Sequence, residues 1–199
     1  MSKRLVNPYL PSWEYIPDGE PYVFEGRVYV YGSHDRFNGQ SYCMNDYVCW
    51  SAPIDDLGAW KKERVIYRSV QDPLNEDGTQ HLFAPDVQVG EDGRYYLFYC
   101  LHRSPTVSVA VCDEPAGEYQ FYGHIHYADG ILYGQKQGDV FNFDPGVLKD
   151  DDGRIYLYTG LSYLKDAPMR KYLAGMFQID GSYCVELDKD MLTLKSEPV

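Results

Sequence analysis

Three aspartates stand in similar settings: Pro17-Asp18-Gly19, Pro85-Asp86-Val87 and Phe143-Asp144-Pro145. Each heads a short run of β-forming residues. Carboxylates brought to one pocket from separate segments can carry out acid–base chemistry at a glycosidic bond, one as acid and one as base or nucleophile. Crowding raises carboxylate pKa values, which keeps one group protonated near neutral pH. An aspartate in such a place can also simply cap a turn through its side-chain oxygen. Asp86 carries that second reading most strongly, because Ala84-Pro85-Asp86-Val87 also reads as a conformational element holding Phe83 and Ala84 in place.

The neighbours of these aspartates suit a sugar. Phe83 precedes Ala84-Pro85-Asp86 and Phe143 precedes Asp144. Aromatic faces pack against the C–H face of a sugar ring. His34 and Asp35, in Gly32-Ser33-His34-Asp35, can donate and accept hydrogen bonds to hydroxyls, in a pocket that sets few polar groups among apolar walls. No metal site is expected. His81, His102, His124 and His126 have no ligand spacing, and Asp150-Asp151-Asp152-Gly153 lacks the Glu that closes a calcium loop. It reads as a solvated hairpin turn.

The elements that must position these residues come from a repeat. Helical periodicity is nearly absent, and short alternating or aromatic-rich runs are bounded by Gly, Pro, Asn and Asp. Glu25-Gly26-Arg27, Asp92-Gly93-Arg94 and Asp152-Gly153-Arg154 each open such a run, with Tyr29, Tyr96 and Tyr156 in the same register. A turn pair ending in Gly before a β-rich run predicts a hairpin with a type I′ turn. A further strand is expected after each hairpin, at Tyr47–Ala52, Val107–Cys112 and Leu173–Ile179. Gly58-Ala59-Trp60, Gly117-Glu118-Tyr119 and Gly181-Ser182-Tyr183 would then open a fourth. Four antiparallel strands repeated radially make a β-propeller blade, and the first strand of each blade lines the central channel. The expectation is an all-β, five-bladed type of propeller with about three four-stranded blades in this chain, over residues 15–66, 84–124 and 143–194 of one domain spanning 1–199. A β-sandwich also gives many short strands, but not this matched unit. Asp18, Asp86 and Asp144 would ring one mouth of the channel.

Composition narrows the partners. Asp plus Glu number 30 against 18 Lys plus Arg, a net charge of −12, which disfavours nucleic acid and anionic membrane surfaces. No run of residues is apolar and long enough to span a bilayer. The basic start has no apolar run after it and does not read as a signal peptide. Five cysteines without zinc spacing read as reduced thiols in a cytoplasmic protein.

Asn7-Pro8-Tyr9-Leu10, Tyr15-Ile16-Pro17-Asp18-Gly19 and Tyr29-Val30-Tyr31-Gly32-Ser33-His34-Asp35 resemble the opening of glycoside hydrolase family 43. Phe83-Ala84-Pro85-Asp86 resembles that family's Trp-Ala-Pro-Asp segment, with Phe for Trp. Phe143-Asp144-Pro145-Gly146 resembles its Ile-Asp-Pro-Ser segment. The resemblance implies a five-bladed propeller, no cofactor, a carbohydrate substrate, and inverting hydrolysis of arabinofuranosides or xylosides. It implies that Asp18 is the general base and Asp144 the aspartate that orients and tunes the acid. The family's acid is a glutamate in the fourth blade, and neither Glu186 nor Glu197 matches its motif. Five blades would need roughly 300 residues, so the expectation is an N-terminal part of the catalytic domain. Self-association, or a chain supplying the missing blades, is expected with it. The alternatives are a non-catalytic carbohydrate-binding or self-assembling propeller fragment, and a propeller with no sugar role.

Overall fold

The computed structural model describes residues 7–199, so the basic start of the chain lies outside the described residues. Eleven strands form three antiparallel sheets. The first holds β1 (Glu20–Phe24), β2 (Arg27–Tyr31), β3 (Tyr47–Pro53) and β4 (Lys61–Tyr67) in sequence order. The second holds β5 (Leu82–Val89), β6 (Tyr95–Leu101), β7 (Val107–Cys112) and β8 (Gln120–His124), again in order. The third holds β9 (Gly146–Lys149), β10 (Ile155–Ser162) and β11 (Asp180–Leu187). These are three successive blades of a propeller.

Alternation explains how blades stack. Successive side chains on a strand point to opposite faces. In β6, Tyr95, Leu97, Tyr99 and Leu101 enter the core shared with blade 1, while Tyr96, Phe98 and Cys100 enter the core shared with blade 3. Blade 2 is thus covered on both sides, and every residue of β6 is buried. Blade 1 is covered on its outer side by the segment before β1, so Val30, Val48, Trp50 and Ala52 are buried there, whereas blade 3 has one covered face. In β10, Ile155, Leu157 and Thr159 are buried, whereas Tyr158 is exposed on the outer side. On the outer side of blade 1, Tyr9, Pro21, Val28, Val30, Leu57 and Trp60 line an open apolar hollow of about 470 Å³.

The hairpin turns divide into two kinds. At Glu25-Gly26 both central residues have positive φ (49° and 75°), as a type I′ turn requires. The other two differ from the expected type I′. At Gly93 and Gly153 only the glycine is left-handed, and Gly90 N donates to Arg94 O as Asp150 N does to Arg154 O. These are three-residue loops ending in a bulge glycine.

The third blade departs from the expected pattern. Leu173–Ile179 is not a strand. Pro168–Leu173 forms a short helix, α1, with Pro168 at its first turn, where a missing N–H costs nothing. Met169, Arg170, Lys171 and Leu173 are good helix formers. Gly181-Ser182-Tyr183 consequently lies inside β11, the third strand, rather than opening a fourth. The fourth position is taken by the last residues: Cys184 and Val199 exchange backbone hydrogen bonds of 2.9 and 3.1 Å, and Lys195 N donates to Glu186 O at 2.8 Å.

Candidate active site

Strand register places the aspartates. Two steps beyond the Glu20↔Tyr31 pair, Asp18 stands opposite Ser33. Two steps beyond the Gly146↔Tyr158 pair, Asp144 stands opposite Gly160, whose N–H donates to Phe143 O at 3.0 Å. Asp18 and Asp144 therefore occupy equivalent places at the same end of blades 1 and 3. In blade 2 that place belongs to Phe83 and Ala84, because a bulge lies between Phe83 and Asp86. Asp86 is not at the strand start, as expected from sequence, but inside β5.

Close backbone approach seats the segment carrying Asp18. A Cβ at Gly32 would stand 2.9 Å from Gly19 Cα and 2.4 Å from Ile16 Cγ2, so only glycine lets the chain before β1 lie on the end of β2. Ser33, fully buried, then donates its N–H to Asp18 Oδ1 and its hydroxyl to Asp18 Oδ2, each at 2.5 Å. Its Oγ also accepts from Ala84 N at 2.8 Å. In blade 3, Thr159 holds Phe143 through both backbone groups at 2.9 Å. Asp144 follows with φ of +48°, and Ala84 has φ of +34°. Left-handed backbone at non-glycine residues costs about 1–3 kcal/mol and concentrates at functional sites.

The charges at this mouth act on one another. Burial, then the nearby Asp18 charge, raises the Asp144 carboxyl above the ordinary aspartate range. Burial raises Glu20, with Asp86 and Asp18 adding to it. The Cys43 thiol is pushed up to about 11 by burial, with Asp18, Asp35 and Asp144 adding and the Ser33 contact opposing. Hydrogen bonds tie Asp18 to Ser33 and Asp35 to Cys43 in this region. The ring of Phe83 lies 5.5 Å from that of Phe143 and 6.1 Å from His102, and its carbonyl accepts from Tyr47 Oη at 3.0 Å.

Three expected substrate contacts prove to be engaged within the protein. Asp86 is 5% exposed and accepts from Tyr22 Oη (2.5 Å), Val87 N (2.7 Å) and Val147 N (2.6 Å). It ties blade 2 to blades 1 and 3. Burial raises its carboxyl, against the pull of those donors. His34 gives both ring nitrogens to Asp46 O (2.8 Å) and Glu14 Oε1 (2.7 Å), which leaves none for a hydroxyl. Burial would raise Glu14, but hydrogen bonds from Lys62, Trp50 and His34 hold it below its ordinary value. Asp35 Oδ1 accepts from Cys43 N at 2.6 Å and shapes the loop after β2. These residues fix the walls of the site. Among the described residues no group of His, Cys, Asp and Glu is placed to hold a metal ion.

Ser33, Cys43 and Tyr22 join the residues expected at the site. Ser33 carried a signal, since it follows β2 at the step where its backbone faces Asp18. Cys43 and Tyr22 carried none, because their roles depend on packing across the loop and between blades.

Fold and register together describe an arc of three propeller blades with Asp18 and Asp144 at equivalent ends of blades 1 and 3. The profile of the Glycosyl hydrolases family 43 matches residues 17–199, and the chain belongs to that family. It is 57% identical over 199 residues to a xylosidase/arabinosidase of Thermoclostridium stercorarium, covering 100% of this chain and 40% of that protein. It is 32% identical over 180 residues to a beta-xylosidase of Xylanibacter ruminicola, covering 82% of this chain and 52% of the relative. An alpha-L-arabinofuranosidase structure from Clostridium thermocellum superposes with a TM-score of 0.64 at 26% identity, over 92% of this chain and 54% of that one. The chain thus spans about half or less of the length of these relatives.

Proposed function

We propose that this chain is the N-terminal part of the catalytic domain of an inverting glycosidase acting on arabinofuranosidic or xylosidic bonds of plant saccharides. The observation that carries the reading is the register equivalence of Asp18 and Asp144, with the Asp144 carboxyl raised in part by the Asp18 charge. Asp18, its carboxylate anchored by Ser33, is the general base that takes a proton from the attacking water. Asp144 orients and tunes an acid supplied from outside this chain. Phe83, Ala84 and Phe143 form the wall that packs on the sugar ring.

One observation favours the second reading, a fragment that binds sugar without cleaving it. Glu186 is paired with Lys195 at 2.8 Å in β11, and Glu197 lines a separate hollow with Tyr127, Asp129 and Lys136. Both placements support the reading that neither glutamate serves as the acid. Calorimetry with arabinose, xylose and their oligomers, beside an assay on aryl arabinofuranosides and xylosides, tests both readings. Sugar binding weakened by Asp18→Asn or Asp144→Asn, with very slow turnover, is expected. Absence of sugar binding would remove the assignment, and turnover at ordinary enzyme rates would refute an acid outside the chain.

The open apolar hollow on blade 1 supports association with a second copy or with further blades, which light scattering would reveal as a mass above that of one chain. Five free thiols support a cytoplasmic location, which cell fractionation tests.

A further inference from the structure

We propose that Ser33 is the positioning residue of the site: one side chain fixes the direction of the Asp18 carboxylate and locks the Phe83–Ala84 wall of the next blade to it. The proposal rests on the reading of Asp18 as the general base. Three bonds converge on Ser33. Its N–H holds Asp18 Oδ1 and its hydroxyl holds Asp18 Oδ2, both at 2.5 Å. A serine hydroxyl has one proton and two acceptor lone pairs. Here the proton goes to Asp18, and a lone pair receives the Ala84 N–H at 2.8 Å.

The consequences are geometric. Two donors on two oxygens stop the carboxylate from turning about its own bond, so its remaining lone pairs keep one direction. Ala84 is held at φ +34°, a conformation that needs support from its surroundings. Phe83, the residue before it, is held at its carbonyl by Tyr47 Oη at 3.0 Å. The base sits on blade 1 and the aromatic wall on blade 2, and the Ser33 hydroxyl is the atom bonded to both. Ser33 is fully buried and its proton is committed, so it positions the site without touching substrate. Placement matters at this level because a displacement of about 1 Å at a reacting group can cost about a hundredfold in rate.

The test uses this chain as Ser33→Ala, Ser33→Thr and Asp18→Asn, with crystal structures of each and calorimetric titration with D-xylose and L-arabinose. In Ser33→Ala the backbone N–H remains and the hydroxyl is gone. Asp18 should pivot about its one remaining anchor, and sugar affinity should fall roughly tenfold, because a carboxylate free to turn must be ordered on binding. Ser33→Thr should restore both the carboxylate direction and the affinity. An unmoved Asp18 with unchanged affinity in Ser33→Ala would overturn the proposal. So would a Ser33→Thr protein that keeps both bonds but binds as weakly as Ser33→Ala. If the unsubstituted chain binds neither sugar, the glycosidase reading falls, and the direction of Asp18 in the variant structures still decides the role of Ser33.

Discussion

Replacing Asp86 with Ala should cost stability. This buried carboxylate accepts from Tyr22 Oη on blade 1, Val87 N on its own strand and Val147 N on blade 3, at 2.5, 2.7 and 2.6 Å. Ala would leave three donors without a partner. A buried unsatisfied donor costs about 1–3 kcal/mol, so three sum to about 3–9 kcal/mol. Loss of a buried charge relieves some desolvation, and water entering the gap recovers more. The expected net cost is about 3–5 kcal/mol, large beside a typical domain stability of about 5–15 kcal/mol. Urea unfolding followed by linear extrapolation measures it. Tyr22→Phe removes one donor and should cost about 1–2 kcal/mol alone, but almost nothing in the Asp86→Ala background, because its partner is already gone. A cost below about 1 kcal/mol for Asp86→Ala, with additive effects in the double variant, would refute the role of Asp86 in tying the three blades together. It would return Asp86 to the list of substrate contacts.

The other predictions concern the mouth of the site. Asp144 has a folded pKa raised above its unfolded value of about 3.9. Its contribution to stability is therefore full below about pH 3.9 and lost as pH rises through the folded value. Asp144→Asn should melt higher than the parent at pH 7, with the difference shrinking as pH falls toward about 4; a pH-independent difference would count against the shift. Asp18→Asn should lower the titration midpoint of the Asp144 carboxyl in ¹³C NMR, leaving it above the ordinary range because burial remains; no movement would mean that the two carboxylates do not interact. Gly160→Ala would set a Cβ 2.2 Å from Gly181 O, a backbone atom that cannot swing aside, and should cost about 2–3 kcal/mol in urea unfolding. A neutral effect would show that β10 and β11 part easily.

Blades 1 and 2 were legible because turn glycines and alternating aromatic runs are local signals. The strands expected at Tyr47–Ala52 and Val107–Cys112 are β3 and β7. Blade 3 was misread where local signals mislead. Leu173–Ile179 offers Leu, Met, Phe and Ile that suit a strand, yet Pro168 and the helix formers after it start a helical turn that runs into this stretch. Asp18 and Asp144 were legible through their flanking residues and their common step before the hairpin. Asp86 resembled them in sequence but differs in place, because the bulge at Phe83/Asp86 shifts it into the strand. Its partners Tyr22 and Val147 lie 64 and 61 residues away, and no local pattern records contacts between blades. The partner of His34 is hidden for a related reason: Glu14, which meets its ring, is 20 residues upstream and buried only once the loop folds back.

The central claim is that Asp18 and Asp144 face one sugar-binding mouth. A crystal structure of the chain soaked with xylotriose or arabinotriose tests it most directly. The account predicts a sugar ring against Phe83 and Phe143, with hydroxyls within hydrogen-bond reach of both carboxylates. Sugar bound elsewhere, or the two carboxylates turned away from each other across an empty mouth, would contradict it.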